Sequence, residues 1–214
     1  MKEKKGIVSR FLIRTGFDAK GASMKKYQII YADPPWSYDD KMKGHSFSLE
    51  EEYETQDIDW IKKLPIKDIA LDNSVLFLWA VSPLLPEALE VINAWGFKYK
   101  TLAFCWSKIE RGGAWVSNLG RWTMGNVELC LLATKGSPKR IKENIKQLVV
   151  DVRTEHSKKP DIVRSRIVEL MGDIPRIELF ARGDRDKDLF GKNRYDGWDV
   201  WGNEVESDIS FGAR

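Results

Sequence analysis

Tyr27-Gln28-Ile29-Ile30-Tyr31-Ala32-Asp33-Pro34-Pro35-Trp36 is the stretch that decides how this chain folds. An apolar run rich in β-branched and aromatic residues that halts at Asp-Pro-Pro predicts a buried strand carrying a carboxylate to its C-terminal end. In open α/β sheets that edge is where ligands bind. Two consecutive prolines fix two φ angles and bias Asp33 and Pro34 away from helix, so the turn is stiff. Neither proline has an N–H, and the turn therefore presents acceptors: the Asp33 carboxylate and the Asp33 and Pro34 carbonyls. Adjacent acceptors suit an amino group, and the Trp36 indole beside them suits a flat heteroaromatic ring. These residue types describe a pocket for an aminated base.

Outward from this strand the chain alternates between strand and helix patterns. Residues 73–80 read as a second buried strand. A helix follows over 83–95, with Ser82 as N-cap, Pro83 at the first position and Gly96 at the stop. Residues 100–106, 127–134 and 147–152 read as further strands. A helix is expected over 159–171, with Pro160 near its start and Gly172 at its end. Residues 176–180 form the last buried strand, whose C-terminal edge is expected beside that of the Tyr27 strand, and 198–201 a short closing strand. The pattern is that of an α/β fold: a single domain with a mostly parallel sheet and helices on both faces.

A chain of 214 residues holds one such domain, with no room for an independent target-recognition domain. The 35 basic and 32 acidic residues give a net charge of +3, which neither demands nor excludes a nucleic-acid partner. Cys105 and Cys130 each sit in an apolar run and read as buried free thiols in a reducing cytosol. With only His45 and His156 beside them, no metal-ligand spacing exists and no metal is expected. No apolar run approaches the ~18 residues of a membrane span, and a signal-peptide core is missing, so a soluble, cytoplasmic protein is expected. Nine tryptophans exceed what a core this size needs, which predicts several in loops.

By composition, residues 1–23 read as a flexible basic leader or a short nucleic-acid-contacting arm, 24–206 as the folded domain and 207–214 as a polar tail. Residues 107–126 mix glycines with Arg111, Trp115, Arg121 and Trp122, a composition suited to stacking on bases and meeting phosphates. A hairpin whose tryptophans pack back on the domain is the competing reading. Residues 135–146 carry five cations, among them Lys139 and Arg140, against Glu143 alone. They read either as phosphate contacts or as solvated surface.

Asp33-Pro34-Pro35-Trp36 after an apolar strand is followed, in order, by His156-Ser157-Lys158-Lys159-Pro160-Asp161, by Ile177-Glu178-Leu179-Phe180-Ala181-Arg182 and by Trp198-Asp199-Val200-Trp201-Gly202-Asn203-Glu204. That set resembles the adenine-specific, S-adenosylmethionine-dependent methyltransferases, the family of the eukaryotic messenger-RNA adenosine methyltransferase catalytic subunit and its bacterial and phage relatives. The resemblance covers roughly residues 24–205. It implies a Rossmann-like methyltransferase fold with a permuted motif order, catalytic motif first. It further implies methyl transfer to the 6-amino group of adenine, with Asp33, Pro34, Pro35 and Trp36 as the catalytic motif. Asp33 at the first motif position resembles adenine-specific members, whereas cytosine-specific relatives more often carry serine.

For the cofactor the resemblance implies Asp33, Lys159, Glu178, Leu179, Phe180, Arg182, Asn203 and Glu204. A single glycine in the Leu179–Gly183 loop makes spacing alone a weak signal there. Lys159 near a helix N-terminus suits a carboxylate, and Asn203 with Glu204 suits a ribose or an adenine edge. Residues 37–59, with Tyr38, look like a gate on the substrate side. The implied partner is nucleic acid, DNA more than RNA, acted on by a homodimer or a paired subunit in a bacterial or phage-infected cell. The same chemistry on RNA, and a noncatalytic nucleic-acid-binding subunit, are the alternatives.

Overall fold

The computed structural model describes residues 24–37, 56–117, 122–152, 158–183 and 193–211. Expectations placed on the 1–23 leader, on Tyr38 and most of the 37–59 gate, on Arg121, and on His156 and Ser157 lie outside the described residues.

The stretch from Tyr27 forms strand β1 (Tyr27–Ala32), and six further strands build on it. In chain order the elements are α1 (Ile58–Lys63), α2 (Ile66–Ile69), β2 (Ala70–Ala80), α3 (Leu85–Ala94), β3 (Lys98–Ile109), β4 (Val127–Lys135), β5 (Leu148–Val152), α4 (Asp161–Met171), β6 (Arg176–Leu179) and β7 (Asp199–Trp201). They make one seven-stranded sheet in the order β5-β3-β4-β2-β1-β6-β7. β1 pairs in parallel with β2 on one side and with β6 on the other, so Ala32 lies opposite both Leu78 and Leu179. The last buried strand therefore ends beside the first, as its sequence predicted.

Alternation along β1 splits the core between two faces, as strand geometry requires. Ile30 and Ala32 join Leu76, Leu78, Ile177 and the apolar sides of α1, α2 and α3. Ile29 and Tyr31 point the other way, to Phe77, Trp79, Val200 and the α4 residues Val163, Ile167 and Met171. Helices thus cover both faces of the sheet.

β4 departs from the parallel rule, pairing antiparallel with both β2 and β3. β2 and β3 still run parallel to one another across the α3 crossover, but β4 is inserted between them. The start of β4 therefore meets the C-terminal edge of β1, β2 and β6, and its end emerges at the opposite edge.

Two local expectations change. Residues 82–84 form a single 3₁₀ turn and α3 begins at Leu85, so Ser82 lies within that turn and caps no helix. Pro83 and Pro86 both favour first-turn positions, and the second of them sets the α-helical start. Residues 207–211 are no free tail. Asp208 exchanges hydrogen bonds with Val200, accepting on its carboxylate at 2.7 Å and donating its N–H at 2.9 Å. Phe211 is buried edge-on to Trp201 at 4.8 Å.

Candidate active site

Asp33 opens the turn after β1, and the turn is secured by its own backbone. The Pro34 carbonyl accepts the Trp36 N–H at 2.9 Å, and the Pro35 carbonyl accepts the Gln56 N–H at 2.9 Å. The Trp36 indole N–H donates to the Trp79 carbonyl at the end of β2, 3.0 Å away. Trp36 is only 7% exposed and belongs to the core on the α1–α3 face. That differs from an open stacking platform: the ring fastens the turn to β2, because a buried indole N–H needs an acceptor and Trp79 supplies one.

The Asp33 carboxylate is 26% exposed, and its Oδ2 accepts from Lys159 Nζ at 2.7 Å. The same ammonium lies 3.3 Å from Glu128 Oε2 and 5.4 Å from the Trp79 ring centroid. Glu128 in turn pairs with Lys108 on β3. Asp33, Lys159, Glu128 and Lys108 thus form a line of alternating charge across β1, the α4 start, β4 and β3. Burial alone pulls the Lys159 value down, but Asp33 and Glu128 outweigh it and hold the lysine above its ordinary 10.5. Burial pushes Glu128 up, and Lys159 and Lys108 outweigh that, leaving it below 4.5. Glu128 was not among the residues singled out from sequence. Its signal was a lone acid at the second position of an otherwise apolar strand, Val127-Glu128-Leu129-Cys130.

The neighbouring β6–β7 edge is shaped by backbone. Phe180, straight after β6, has φ 61°, a left-handed conformation that a bulky residue adopts only when its surroundings hold it. Its ring packs edge-on against Trp201 at 5.4 Å. The Ala181 N–H donates to the Trp201 carbonyl at 3.0 Å, and Arg182 bridges to Glu204. This approach needs Gly202, because a Cβ there would sit 2.1 Å from the Ala181 oxygen. Asn203 and Glu204 are exposed beside the loop, whereas Leu179 is fully buried and offers the edge only its backbone. Glu178 points into the sheet interior toward α4, where Arg164 binds it through two nitrogens at 2.5 and 2.7 Å. Its carboxylate is engaged there and not at the open edge.

Of the residues expected to meet nucleic acid, Arg111, Trp115 and Trp122 lie between β3 and β4, on the edge that carries Asp33. Trp115 is 59% and Trp122 97% exposed, so neither packs back on the domain. Lys139 and Arg140 follow β4 and emerge at the far edge. The nine residues of β4 separate the edges by roughly 30 Å, at about 3.4 Å per residue. Arg140 there pairs with Glu143 at 3.0 Å. The antiparallel direction of β4 thus carries the 135–146 cations to the edge opposite the Asp33 turn.

The MT-A70 family pattern matches residues 27–204, from the first residue of β1 to the end of the Trp-Gly-Asn-Glu run. The chain belongs to the MT-A70 family. It is 34% identical over 199 residues to the type II methyltransferase M.MunI of a Mycoplasma species, covering 85% of this chain and 78% of that relative. It is also 27% identical over 183 residues to an Arabidopsis thaliana protein named N(6)-adenosine-methyltransferase MT-A70-like, and similarly to one from rice. The chain spans about a quarter of those plant proteins, 24% and 23% of their lengths.

As an MT-A70 enzyme the chain is a methyltransferase that takes its methyl group from S-adenosylmethionine. The donor set on the edge fits that cofactor chemically. Lys159 is a cation for a carboxylate, Asp33 and Glu204 are acceptors for ammonium or hydroxyl groups, and Asn203 and Arg182 supply donors. Among the described residues there is no cluster of histidine, cysteine and acidic side chains fit to hold a metal. No described helix is long and apolar enough to cross a membrane.

Proposed function

We propose that this chain transfers the methyl group of S-adenosylmethionine to the exocyclic 6-amino group of adenine in DNA. The observation that carries this reading is the convergence on one sheet edge of the Asp33–Trp36 turn, Lys159, the Phe180–Arg182 loop and the exposed Asn203 and Glu204. The sulfonium supplies an already activated methyl group. What remains for the protein is to orient the amine, favour its nucleophilic form and exclude water.

An adenine amino lone pair is delocalised into the ring. Acceptors on its two hydrogens favour the pyramidal nitrogen from which the new bond forms, a preset-dipole effect. The Asp33 carboxylate takes one hydrogen. The Pro34 carbonyl takes the other on its second lone pair, the first being committed to Trp36. Pro35 and Trp36 act by fixing the turn. Lys159 balances the Asp33 charge and meets the carboxylate of the cofactor, with Arg182, Asn203 and Glu204 at its nucleoside. A duplex target must be flipped out to reach the turn, and Arg111, Trp115 and Trp122 form the surface that receives the strand.

The match to a type II methyltransferase over most of both chains supports DNA over RNA, since the plant N(6)-adenosine relatives are matched over a quarter of their length. We further place the protein in the cytoplasm of a bacterial or phage-infected cell, working as a homodimer or with a paired subunit. Incubation with methyl-labelled cofactor and single- and double-stranded DNA and RNA tests the activity. Label on DNA adenine is expected. Label on RNA alone would overturn the DNA assignment, and no transfer to adenine in any strand would overturn the function.

A further inference from the structure

Tyr195 engages both backbone polar groups of Arg182, and Arg194 Nη1 adds a longer bond to the same carbonyl at 3.4 Å. The Arg182 N–H donates to Tyr195 Oη at 3.2 Å, and the Tyr195 hydroxyl donates to the Arg182 carbonyl at 2.5 Å. A single hydroxyl thus satisfies the donor and the acceptor of the same residue, using the dual capacity that a phenol has and a phenyl lacks. Tyr195 is 3% exposed and lies 13 positions along the chain from Arg182. It is not placed to touch a ligand at the open edge and reaches that edge only through the loop.

Arg164 in turn fixes the Tyr195 ring. Its guanidinium lies 5.2 Å from the Tyr195 ring and 5.8 Å from that of Tyr31 on β1. It grips Glu178 through two nitrogens and reaches Asp161, two residues beyond Lys159, at 2.6 Å. One buried cation therefore ties the α4 start, β1, β6 and the 193–198 turn together beneath the loop. Burial removes competing water from these bonds, and it pushes the Tyr195 hydroxyl above its ordinary value, so the proton it donates stays in place.

We propose that Tyr195, seated by Arg164, is the positioning residue of the cofactor loop, setting the Arg182 backbone so that Phe180 keeps its left-handed kink and the Arg182 side chain faces the nucleoside of S-adenosylmethionine. The proposal rests on the cofactor assignment made above for this edge. It deepens that assignment by naming the group that determines cofactor affinity without contacting the cofactor. Glu178, expected from the family pattern to serve the cofactor, does so here through Arg164 and Tyr195.

The test compares wild type with Tyr195→Phe and Arg164→Lys in the full chain. S-adenosylhomocysteine titrations are followed by calorimetry, and KM for cofactor, KM for DNA and kcat are measured separately. Tyr195→Phe is expected to weaken cofactor binding and raise its KM about tenfold, with kcat within about twofold and the KM for DNA unchanged. Arg164→Lys keeps the charge but loses the fork, and is expected to fall between the two. Equal cofactor affinity in wild type and Tyr195→Phe overturns the proposal, as does a uniform fall in kcat with both KM values. Failure of wild type to bind the cofactor overturns the cofactor assignment itself. Amide exchange of unliganded wild type adds a check that needs no variant: the Arg182 amide is expected to be protected, and rapid exchange there overturns the clamp.

Discussion

Lys159 Nζ sits 2.7 Å from Asp33 Oδ2 although the two residues are 126 positions apart. The parallel pairing of β1 with β6 brings this about, because it sets the loop before α4 against the C-terminal end of β1. Asp33 therefore meets its substrate already neutralised by a cation. That arrangement keeps a carboxylate at the mouth of a site built for a positively charged sulfonium and a neutral amine.

Replacing Asp33 separates its chemical part from its structural one. Asp33→Ala is expected to lower kcat by about 10²- to 10³-fold, the usual cost of losing one preset group at a developing charge. Stability should fall by only about 1–3 kcal/mol, the penalty of leaving a half-satisfied polar partner, since Lys159 retains Glu128. Single-turnover methyl transfer and a melting curve measure the two. A variant that fails to fold would contradict this placement of Asp33.

Glu128 and Lys159 give a pH signature whose sign follows from their shifts. Glu128 titrates below 4.5 in the folded chain, so its contribution is complete above that value and is lost as pH falls through the lower folded value. Lys159 titrates above 10.5, so its contribution is complete below that value and is lost as pH rises through the higher folded one. Glu128→Gln should therefore cost the same stability throughout the neutral range, and the gap to wild type should close in acid. Denaturant unfolding across pH measures it; a gap that changes steeply near neutrality would contradict the charge line.

The exposed tryptophans and the far-edge cations should behave differently toward substrate. Trp115→Ala and Trp122→Ala are each expected to weaken DNA binding by roughly 1–3 kcal/mol, the usual worth of one stacked base, with the melting temperature unchanged. Lys139→Ala and Arg140→Ala should leave DNA affinity within about twofold of wild type, because β4 carries them to the other edge. Fluorescence anisotropy with a labelled oligonucleotide separates the two groups. A loss at Lys139 equal to that at Trp122 would mean that the substrate wraps around the sheet.

The strand at Tyr27–Ala32, the turn after it and the last strand at Arg176 were legible because a buried parallel strand is a short continuous apolar run with a sharp stop. The direction of β4 was not, since nothing in Val127–Lys135 distinguishes a parallel from an antiparallel neighbour. Which edge Lys139 and Arg140 occupy depends on that direction. Trp36 read as an open platform because residue type shows an indole's capacity and not its burial. Glu128 and Arg164 escaped notice, and Glu178 was read toward the cofactor, because an interior charge is explained only by its partner, and the partners lie on other elements. The 207–211 segment looks polar, yet Phe211 packs on Trp201 and Asp208 bonds to Val200.

Gly202 offers the sharpest test of the β6–β7 edge. An added Cβ would fall 2.1 Å from the Ala181 oxygen and 2.9 Å from its nitrogen, and that nitrogen holds the Trp201 carbonyl at 3.0 Å. Both obstacles are backbone, so no side chain can swing aside, and β7 must draw away from the Phe180 loop. Gly202→Ala is expected to cost about 1–3 kcal/mol of stability, as overpacking does. It should also weaken cofactor binding more than DNA binding, since Asn203, Glu204 and Arg182 all move with the separated strands. Thermal unfolding and parallel titrations with S-adenosylhomocysteine and oligonucleotide measure this. An alanine variant that binds cofactor like wild type would show that the approach of these two backbones does not shape the cofactor site.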